Sequence, residues 1–330
     1  MLKFPVGVIG VGHLGSLHAK MYAEIPFVEL IGMMDVDRNR SESLARELDV
    51  KAFDSVDELL KNVKAVSIAT PTSTHCALAQ QAIQQGIHVL IEKPITKTIT
   101  EAELLITLAK KNGVKIQVGH IERFNPALLA LEHYHLHPMF IESHRLAQFN
   151  PRGTDVAVVL DLMIHDIDII LSLVHSPVEK IEANGIAVVS DNIDIANARL
   201  QFENGCVANV TASRISQKKM RKMRMFQRDA YISVDFSEGI AEVFRLVDED
   251  DKSAEATMML GAITSGSRKR KIIYEQPEIK EVNALKYELE TFIGSIQNGK
   301  EPMVTAEEGL QALQIAHAIM EKIHQQKISL

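Results

Sequence analysis

Phe4-Pro5-Val6-Gly7-Val8-Ile9-Gly10-Val11-Gly12-His13-Leu14-Gly15 is the stretch whose reading decides the fold. A short apolar run, Val6–Gly10, is followed at once by G-x-G-x-x-G, and His13–Glu24 then reads as a helix. Glycines in this arrangement permit a tight turn and let backbone N–H groups approach a pyrophosphate, which sits on the helix N-terminus. Alone, the same pattern describes a turn with no ligand. Here a second strand, Val28–Asp35, ends in a carboxylate twenty residues beyond Gly15. An acid at that place accepts hydrogen bonds from the adenosine ribose hydroxyls and repels a 2′-phosphate. The expected cofactor is therefore NAD rather than NADP, with nearby Arg38 as the opposing feature. Gly10, Gly12, His13, Leu14, Gly15 and Asp35 are the candidate contacts.

Outward from this stretch, strand-like and helix-like segments alternate. Strands are expected at 65–69, 87–91 and 115–119, with helices at 38–48, 73–85 and 99–111. Thr98 with Glu101 three residues on predicts a capping box. The alternation predicts a doubly wound parallel sheet, of Rossmann type, over residues 1–122. Beyond that point the rhythm changes. A helix at about 124–135, a strand at 139–147 and a very apolar helix at about 155–174 precede several long alternating strands between 178 and 247. Turns are marked at Glu203-Asn204-Gly205 and Ser237-Glu238-Gly239. Residues 249–281, rich in Ser, Gly and charge, read as a mobile loop, and helices at about 281–298 and 305–326 close the chain. Residues 123–330 are thus expected to form an α+β domain with a large open, mainly antiparallel sheet, its C-terminal helix able to pack back on the first domain. The whole is an α/β protein.

With 330 residues, 46% of them hydrophobic and 24% charged, the chain has material for two cores. A net charge of −7 argues against nucleic-acid binding. Cys76 and Cys206 make neither a disulfide framework nor a metal-site spacing. No apolar run has the length of a membrane span, and the N-terminal apolar run leads into glycines rather than a cleavage site. A cytoplasmic protein without membrane association is expected. His133, His135 and His137 precede Pro138 in a segment that reads as a surface loop, so no metal is expected.

Ligands of doubly wound sheets lie outside the carboxyl ends of the strands. Two such ends carry chemistry. One is Ala69-Thr70-Pro71-Thr72-Ser73-Thr74-His75, where His75 reads as structural or cofactor-lining. The other is Leu90-Ile91-Glu92-Lys93-Pro94, where an apolar run stops in a carboxylate, an ammonium and a proline that restricts the lysine to extended backbone. A turn lysine on the surface is the ordinary alternative. On the later apolar helix, Asp161, His165, Asp168 and Ser172 fall at i, i+4, i+7 and i+11, one polar stripe. An aspartate one turn from a histidine is a general acid/base arrangement. The same stripe could equally be the solvent face of an amphipathic helix.

Taken together, the glycine motif, Glu92-Lys93-Pro94 and the D-x-x-x-H at 161–165 resemble the Gfo/Idh/MocA family of sugar oxidoreductases, nearly end to end. The resemblance implies a catalytic lysine at Lys93 and a catalytic pair at Asp161 and His165. It implies that Thr70, Pro71 and His75 line the nicotinamide side, with Glu92 beside them, and that the lysine–proline peptide is cis. It also implies that the open sheet forms an oligomer, a homodimer or homotetramer. Where many members have glycines before D-x-x-x-H, this chain has Val156-Ala-Val-Val-Leu160, a bulkier approach to the site. Three stretches, beginning at Val118, Glu142 and Asp194, resemble a narrower group that acts on the 3-hydroxyl of UDP-N-acetylglucosamine. That resemblance implies a UDP-sugar substrate and a partner aminotransferase in lipid A synthesis. A diphosphate needs cationic donors. Arg123, Arg145, Arg152, Arg214, Lys218 and Lys219 are the candidates, Arg214 foremost among the later ones. For Lys218–Arg224 a charge-protected strand edge is the alternative, and Arg268–Lys271 reads as a solvated loop. Two other readings stand beside this one: a dehydrogenase of a free sugar or inositol, and a non-catalytic NAD- or sugar-sensing regulator.

Overall fold

A computed structural model of the chain describes residues 3–150, 156–250, 258–265 and 268–325. The chain divides into two compact units. One comprises residues 1–124 and 282–314, the other residues 125–281 and 315–330.

In the first unit, β1 (Phe4–Ile9), α1 (His13–Glu24), β2 (Val28–Met34), α2 (Arg38–Leu48), β3 (Lys51–Ala52), α3 (Val56–Leu60), β4 (Ala65–Ile68), α4 (Thr72–Gln84), β5 (His88–Glu92), α5 (Ile99–Asn112) and β6 (Ile116–Gly119) alternate along the chain. All six strands are parallel, in the order β3-β2-β1-β4-β5-β6. Such a sheet is covered on both faces, which is why β4 and β6 are apolar-rich and buried at every residue. The order reverses direction between β1 and β4, the switch point at which ligands of this architecture bind. The expected capping box opens α5, with Thr98 Oγ1 accepting from Glu101 N and Glu101 Oε2 from Thr98 N, and Gly113 ends it at φ +65°.

The helix expected at 124–135 is corrected: the first unit's opening segment ends in a 3-10 turn, and the second unit begins with a single short helix. A 3-10 turn, Ile121–Phe124, is followed by only four helical residues, α6 (Pro126–Leu129), with Asn125 capping and Pro126 at its first position. Strand β7 (Phe140–Leu146) leads on to a π-helical turn, Val159–Met163, that runs straight into α7 (Ile164–Val174). Next come β8 (Val178–Ile186), β9 (Ile195–Phe202), β10 (Val207–Ser213), β11 (Met220–Gln227), β12 (Ala230–Asp235) and β13 (Ile240–Asp248). Gly205 at φ +87° and Gly239 at φ +66° close the β9–β10 and β12–β13 hairpins at the two turns marked in the sequence.

The expected loop at 249–281 is corrected in part. Met258–Ser265 and Arg268–Glu275 are strands β14 and β15, paired antiparallel at one end of the sheet. Glycine and charge hide their alternation, and a register irregularity between Met259 and Gly261 breaks it. The nine strands run β14-β15-β13-β12-β11-β7-β10-β9-β8, with only β7–β10 parallel. Lys218–Arg224 therefore leads into an interior strand, paired on both sides, and not into a sheet edge.

One face of this sheet is buried through Ile141, Ala198, Ala208, Val210, Met223, Met225, Ile232 and Val243, with the Ile-rich α7 against β7 and β10. Alternate residues face the other way and are partly exposed. There Phe140, Phe226, Tyr231, Phe244 and Tyr274 form a row across five strands, with neighbouring ring centroids 5.0–5.9 Å apart. Cross-strand aromatic pairs of this kind each add stability.

Helices α8 (Ala284–Gln297) and α9 (Ala306–Gln325) end the chain. Leu289, Phe292 and Ile293 of α8 join Val6, Val8, Tyr22, Leu30 and Leu90 in one core of the first unit. Among the described residues no helix is long and apolar enough to cross a membrane.

Candidate active site

The glycine loop has little tolerance for side chains. Gly10 sits at φ +83°, and a Cβ there would lie 2.5 Å from Thr70 Cγ2. A Cβ on Gly15 would lie 1.8 Å from the Gly10 carbonyl oxygen, so α1 packs directly on the loop. The Gly12 N-cap supplies no side-chain cap, and the first turn of α1 has no acidic residue. Its backbone N–H groups thus suit an anion, as a pyrophosphate requires. His13 and Leu14, in that turn, are exposed.

Asp35 lies at the end of β2. Its Oδ2 accepts from Val11 N at 2.7 Å and its Oδ1 from Asp37 N at 2.8 Å, which ties the acid to the glycine loop. Each oxygen retains a lone pair for a ribose hydroxyl. Arg38 does not oppose it, because Arg38 turns to Glu42 and Asp54. Arg40 instead stands 3.7 Å from Asp35 and lines, with Gly12, His13, Ser16 and Ser43, a groove of about 430 Å³. These residues fit NAD.

Thr70, Pro71 and His75 lie at the end of β4. Buried His75 bridges two turns: its Nε2 is 2.9 Å from the Thr70 carbonyl oxygen and its Nδ1 is 3.0 Å from that of Pro94. Lys93–Pro94 is a cis peptide, and Lys93 is partly buried. Glu92, expected among the cofactor contacts, directs its carboxylate to His18 Nε2 at 3.0 Å and accepts from Lys93 N at 3.3 Å. Burial alone would raise the Glu92 carboxyl. The His18 hydrogen bond and charge, with the Lys93 ammonium and N–H, outweigh it and hold the acid below its usual range. His18 was not singled out in the sequence, where it is one more helix residue 74 positions from its partner.

His120, just after β6, also escaped the sequence reading. It is fully buried, and burial together with the Lys93 and Arg123 charges pushes its imidazole down to about 3, against the pull of Glu92 and Glu308. From about pH 6.5 down to about 3 the unfolded chain therefore binds a proton that the folded chain does not. The stability from neutral His120 is complete above 6.5 and is lost as pH falls. The loss runs at roughly 1.4 kcal/mol per pH unit. Unfolding free energies from urea titrations at pH 7 and pH 5 should accordingly differ by about 2 kcal/mol more in the wild type than in His120→Asn. Equal pH dependence in the two proteins would refute the assignment.

In the second unit, Asp161 lies on the π turn and His165 at the start of α7, both partly buried. The uniform stripe read from the sequence is corrected: the π turn changes the rotation between 161 and 165, and Asp168 is only 2% exposed. Asp166 makes the strong contacts. Its Oδ2 accepts from Arg145 Nε at 2.5 Å and its Oδ1 from Ser143 Oγ at 2.6 Å, all buried. Arg145 is thus engaged inside the unit. Val158 and Val159, the bulk noted before D-x-x-x-H, turn into the core.

Arg214 is also buried. Its guanidinium donates to the Val156 carbonyl and stands 3.9 Å from Asp194. Burial raises the Asp194 carboxyl, but N–H groups of Val188, Val189 and Ser190 and the Ser190 hydroxyl bring it down to about 2. Arg123, in the first unit, is held by Glu308 at 3.0 Å. Lys218 and Lys219 are exposed, and Arg152 lies outside the described residues. His133, His135 and His137 are exposed, and among the described residues no cluster of His, Cys, Asp or Glu is placed to hold a metal.

A glycine loop, an acid tied to it and a lysine, all at the ends of parallel strands, are the arrangement of a dinucleotide-dependent oxidoreductase. Residues 4–120 match the oxidoreductase family model for the NAD-binding Rossmann fold, and residues 134–330 match the model for its C-terminal alpha/beta domain. The chain belongs to the Gfo/Idh/MocA oxidoreductase family. It is 44% identical, over 74% of its length and 78% of the relative's, to the UDP-N-acetylglucosamine 3-dehydrogenase of Acidithiobacillus ferrooxidans. A solved structure of that enzyme superposes with a TM-score of 0.87 at 37% identity, covering 98% of each chain. The myo-inositol 2-dehydrogenase of Thermotoga maritima is 26% identical over 98% of this chain and 97% of its own.

Proposed function

We propose that the protein oxidises the 3-hydroxyl of UDP-N-acetylglucosamine with NAD, giving a 3-keto nucleotide sugar. The observation that carries this reading is the 44% identity to a UDP-N-acetylglucosamine 3-dehydrogenase. The retention of Lys93, Asp161 and His165 supports a catalytic rather than a sensing role. When bound, NAD supplies the hydride acceptor. Gly10, Gly12, His13, Leu14 and Gly15 hold its pyrophosphate through backbone N–H groups, and Asp35 holds its adenosine ribose. Thr70, Pro71 and His75 line the nicotinamide side. His165, oriented by Asp161, accepts the hydroxyl proton. Lys93 orients the hydroxyl and stabilises the developing alkoxide. Arg123, Arg152, Arg214 and Lys218 are the cations proposed for the diphosphate. For Arg123 and Arg214, now found engaged with Glu308 and with Val156 and Asp194, this means binding through the segments they anchor.

The further context follows from that product. A 3-ketone is the substrate form for an aminotransferase, which would yield a 2,3-diamino sugar for lipid A, in the cytoplasm. The aromatic row on the open sheet face favours a homodimer or homotetramer. A second reading, oxidation of a free inositol or sugar, draws on the full-length similarity to the inositol dehydrogenase.

The test is product mass. The protein is incubated with NAD and UDP-N-acetylglucosamine, and ketone is trapped with hydroxylamine. An oxime of the nucleotide sugar is expected. If only free sugars or inositol yield one, and UDP does not compete, the second reading replaces the first.

A further inference from the structure

Glu92 is the last residue of β5 and immediately precedes Lys93. Its carboxylate touches three things at once. Oε1 accepts from His18 Nε2 at 3.0 Å, and Oε2 accepts from Lys93 N at 3.3 Å. Its flat side lies on Gly119 of β6, where a Cβ would come within 3.1 Å of three carboxylate atoms. His18 is wholly buried on α1, the helix whose first turn suits the pyrophosphate. One acid thereby joins the cofactor helix, the lysine turn and the neighbouring strand.

A mere tie between these elements needs no charge. A buried carboxylate costs desolvation, and a neutral amide could tie the same groups more cheaply, accepting from Lys93 N and donating to His18 Nε2 in its other tautomer. What the carboxylate adds is negative potential beside the Lys93 ammonium. The other groups that face this turn are His75 from α4, at the Pro94 carbonyl, and neutral His120 after β6. Arg123, with Glu308 of α9, completes the set. Among these, Glu92 is the acid next to the lysine, and Arg123 already has its own carboxylate.

We infer that Glu92 and His18 are positioning residues for Lys93, fixing its turn to the α1 helix and keeping its amine in the charged form. This rests on the reading of Lys93 as the residue that steadies the alkoxide. It also accounts for the buried His18, which holds the carboxylate in place and ionised. Without the imidazole, burial would favour the protonated acid, and the potential at Lys93 would vanish with the charge.

The experiment reads Lys93 itself and needs no sugar. Trace acetylation of the folded protein is followed across pH by mass spectrometry of the Lys93 peptide, which gives the titration midpoint of that amine. Glu92→Gln is expected to lower the midpoint by about one pH unit. His18→Leu should lower it likewise. His18→Gln, whose amide can donate where the imidazole Nε2 does, should restore it. The alkaline limb of the kcat profile should move in step, because Lys93 acts in its charged form, with the KM for NAD little changed. Unmoved Lys93 midpoints in folded Glu92→Gln and His18→Leu would overturn the inference. Should Glu92→Gln not fold, equal midpoints in His18→Leu and His18→Gln would do the same. A shifted midpoint alongside full turnover by Lys93→Met would sustain the coupling and refute the role of the lysine instead.

Discussion

Lys93→Met is expected to lower kcat roughly 10²- to 10⁴-fold, the range found when a general acid/base or an oxyanion donor is removed. NAD binding should survive. The residues proposed for the pyrophosphate and ribose belong to the β1–α1 turn and the end of β2, and none depends on the lysine side chain. Methionine keeps the length and most of the apolar stem of lysine, so the partly buried turn should keep its packing. Its backbone stays anchored by the Lys93 N–H on Glu92 and the Pro94 carbonyl on His75. What is lost is the ammonium. The loss should fall on kcat more than on KM for NAD, since an interaction with developing alkoxide is strongest in the transition state. Lys93→Arg should not rescue activity, because a planar fork does not replace a point charge at a fixed hydroxyl. Stopped-flow nicotinamide absorbance reads the hydride step, and calorimetry reads NAD affinity. Turnover within a few-fold of wild type would remove Lys93 from the chemistry.

The cofactor half of the protein was legible because its signals are local. A strand, three glycines, a helix and an acid twenty residues on are neighbours in sequence, and the backbone they prescribe is the backbone observed. The same holds for the Thr98–Glu101 box and the Gly205 and Gly239 turns. What escaped was long-range or irregular. Nothing near His18 announces Glu92, and nothing near His120 announces that it will be buried beside two cations. The stripe from Asp161 to Ser172 assumed 3.6 residues per turn throughout. A π turn, rare in general and frequent at functional sites, broke that assumption where the candidate pair begins. Arg145 read as a cation for phosphate because sequence does not say which arginine meets an aspartate inside the fold. Strands β14 and β15 were missed because glycine, serine and charge imitate a loop wherever neighbouring strands supply the pairing.

That missed aspartate supports the second large effect. Asp166→Asn should destabilise the second unit by about 3–5 kcal/mol, as breaking one side of a buried ion pair does. Both side chains are almost inaccessible, at 4% for Arg145 and 2% for Asp166. Arg145 also lies over the Phe236 ring, 6.0 Å from its centroid, and Ser143 spends its hydroxyl on the same carboxylate. The asparagine cannot balance the guanidinium charge, and an amide nitrogen turned toward Arg145 would set donor against donor. Arg145→Met should cost less, because it leaves a carboxylate still held by Ser143 and able to take up a proton. Replacing both, as Arg145→Met with Asp166→Leu, removes charge and desolvation together and should recover most of the loss. By thermal unfolding the Asp166→Asn transition should fall by roughly 10 °C. Losses of Arg145→Met and of Asp166→Leu alone that simply add in the double variant would show that the pair contributes no coupling. The consequence extends to the site. The ion pair fastens α7 to β7 at the residue after His165, so at temperatures where Asp166→Asn is still folded its kcat should drop while the KM for NAD holds. A variant as active as wild type at that temperature would mean that His165 does not depend on this anchor, and that the pair serves stability alone.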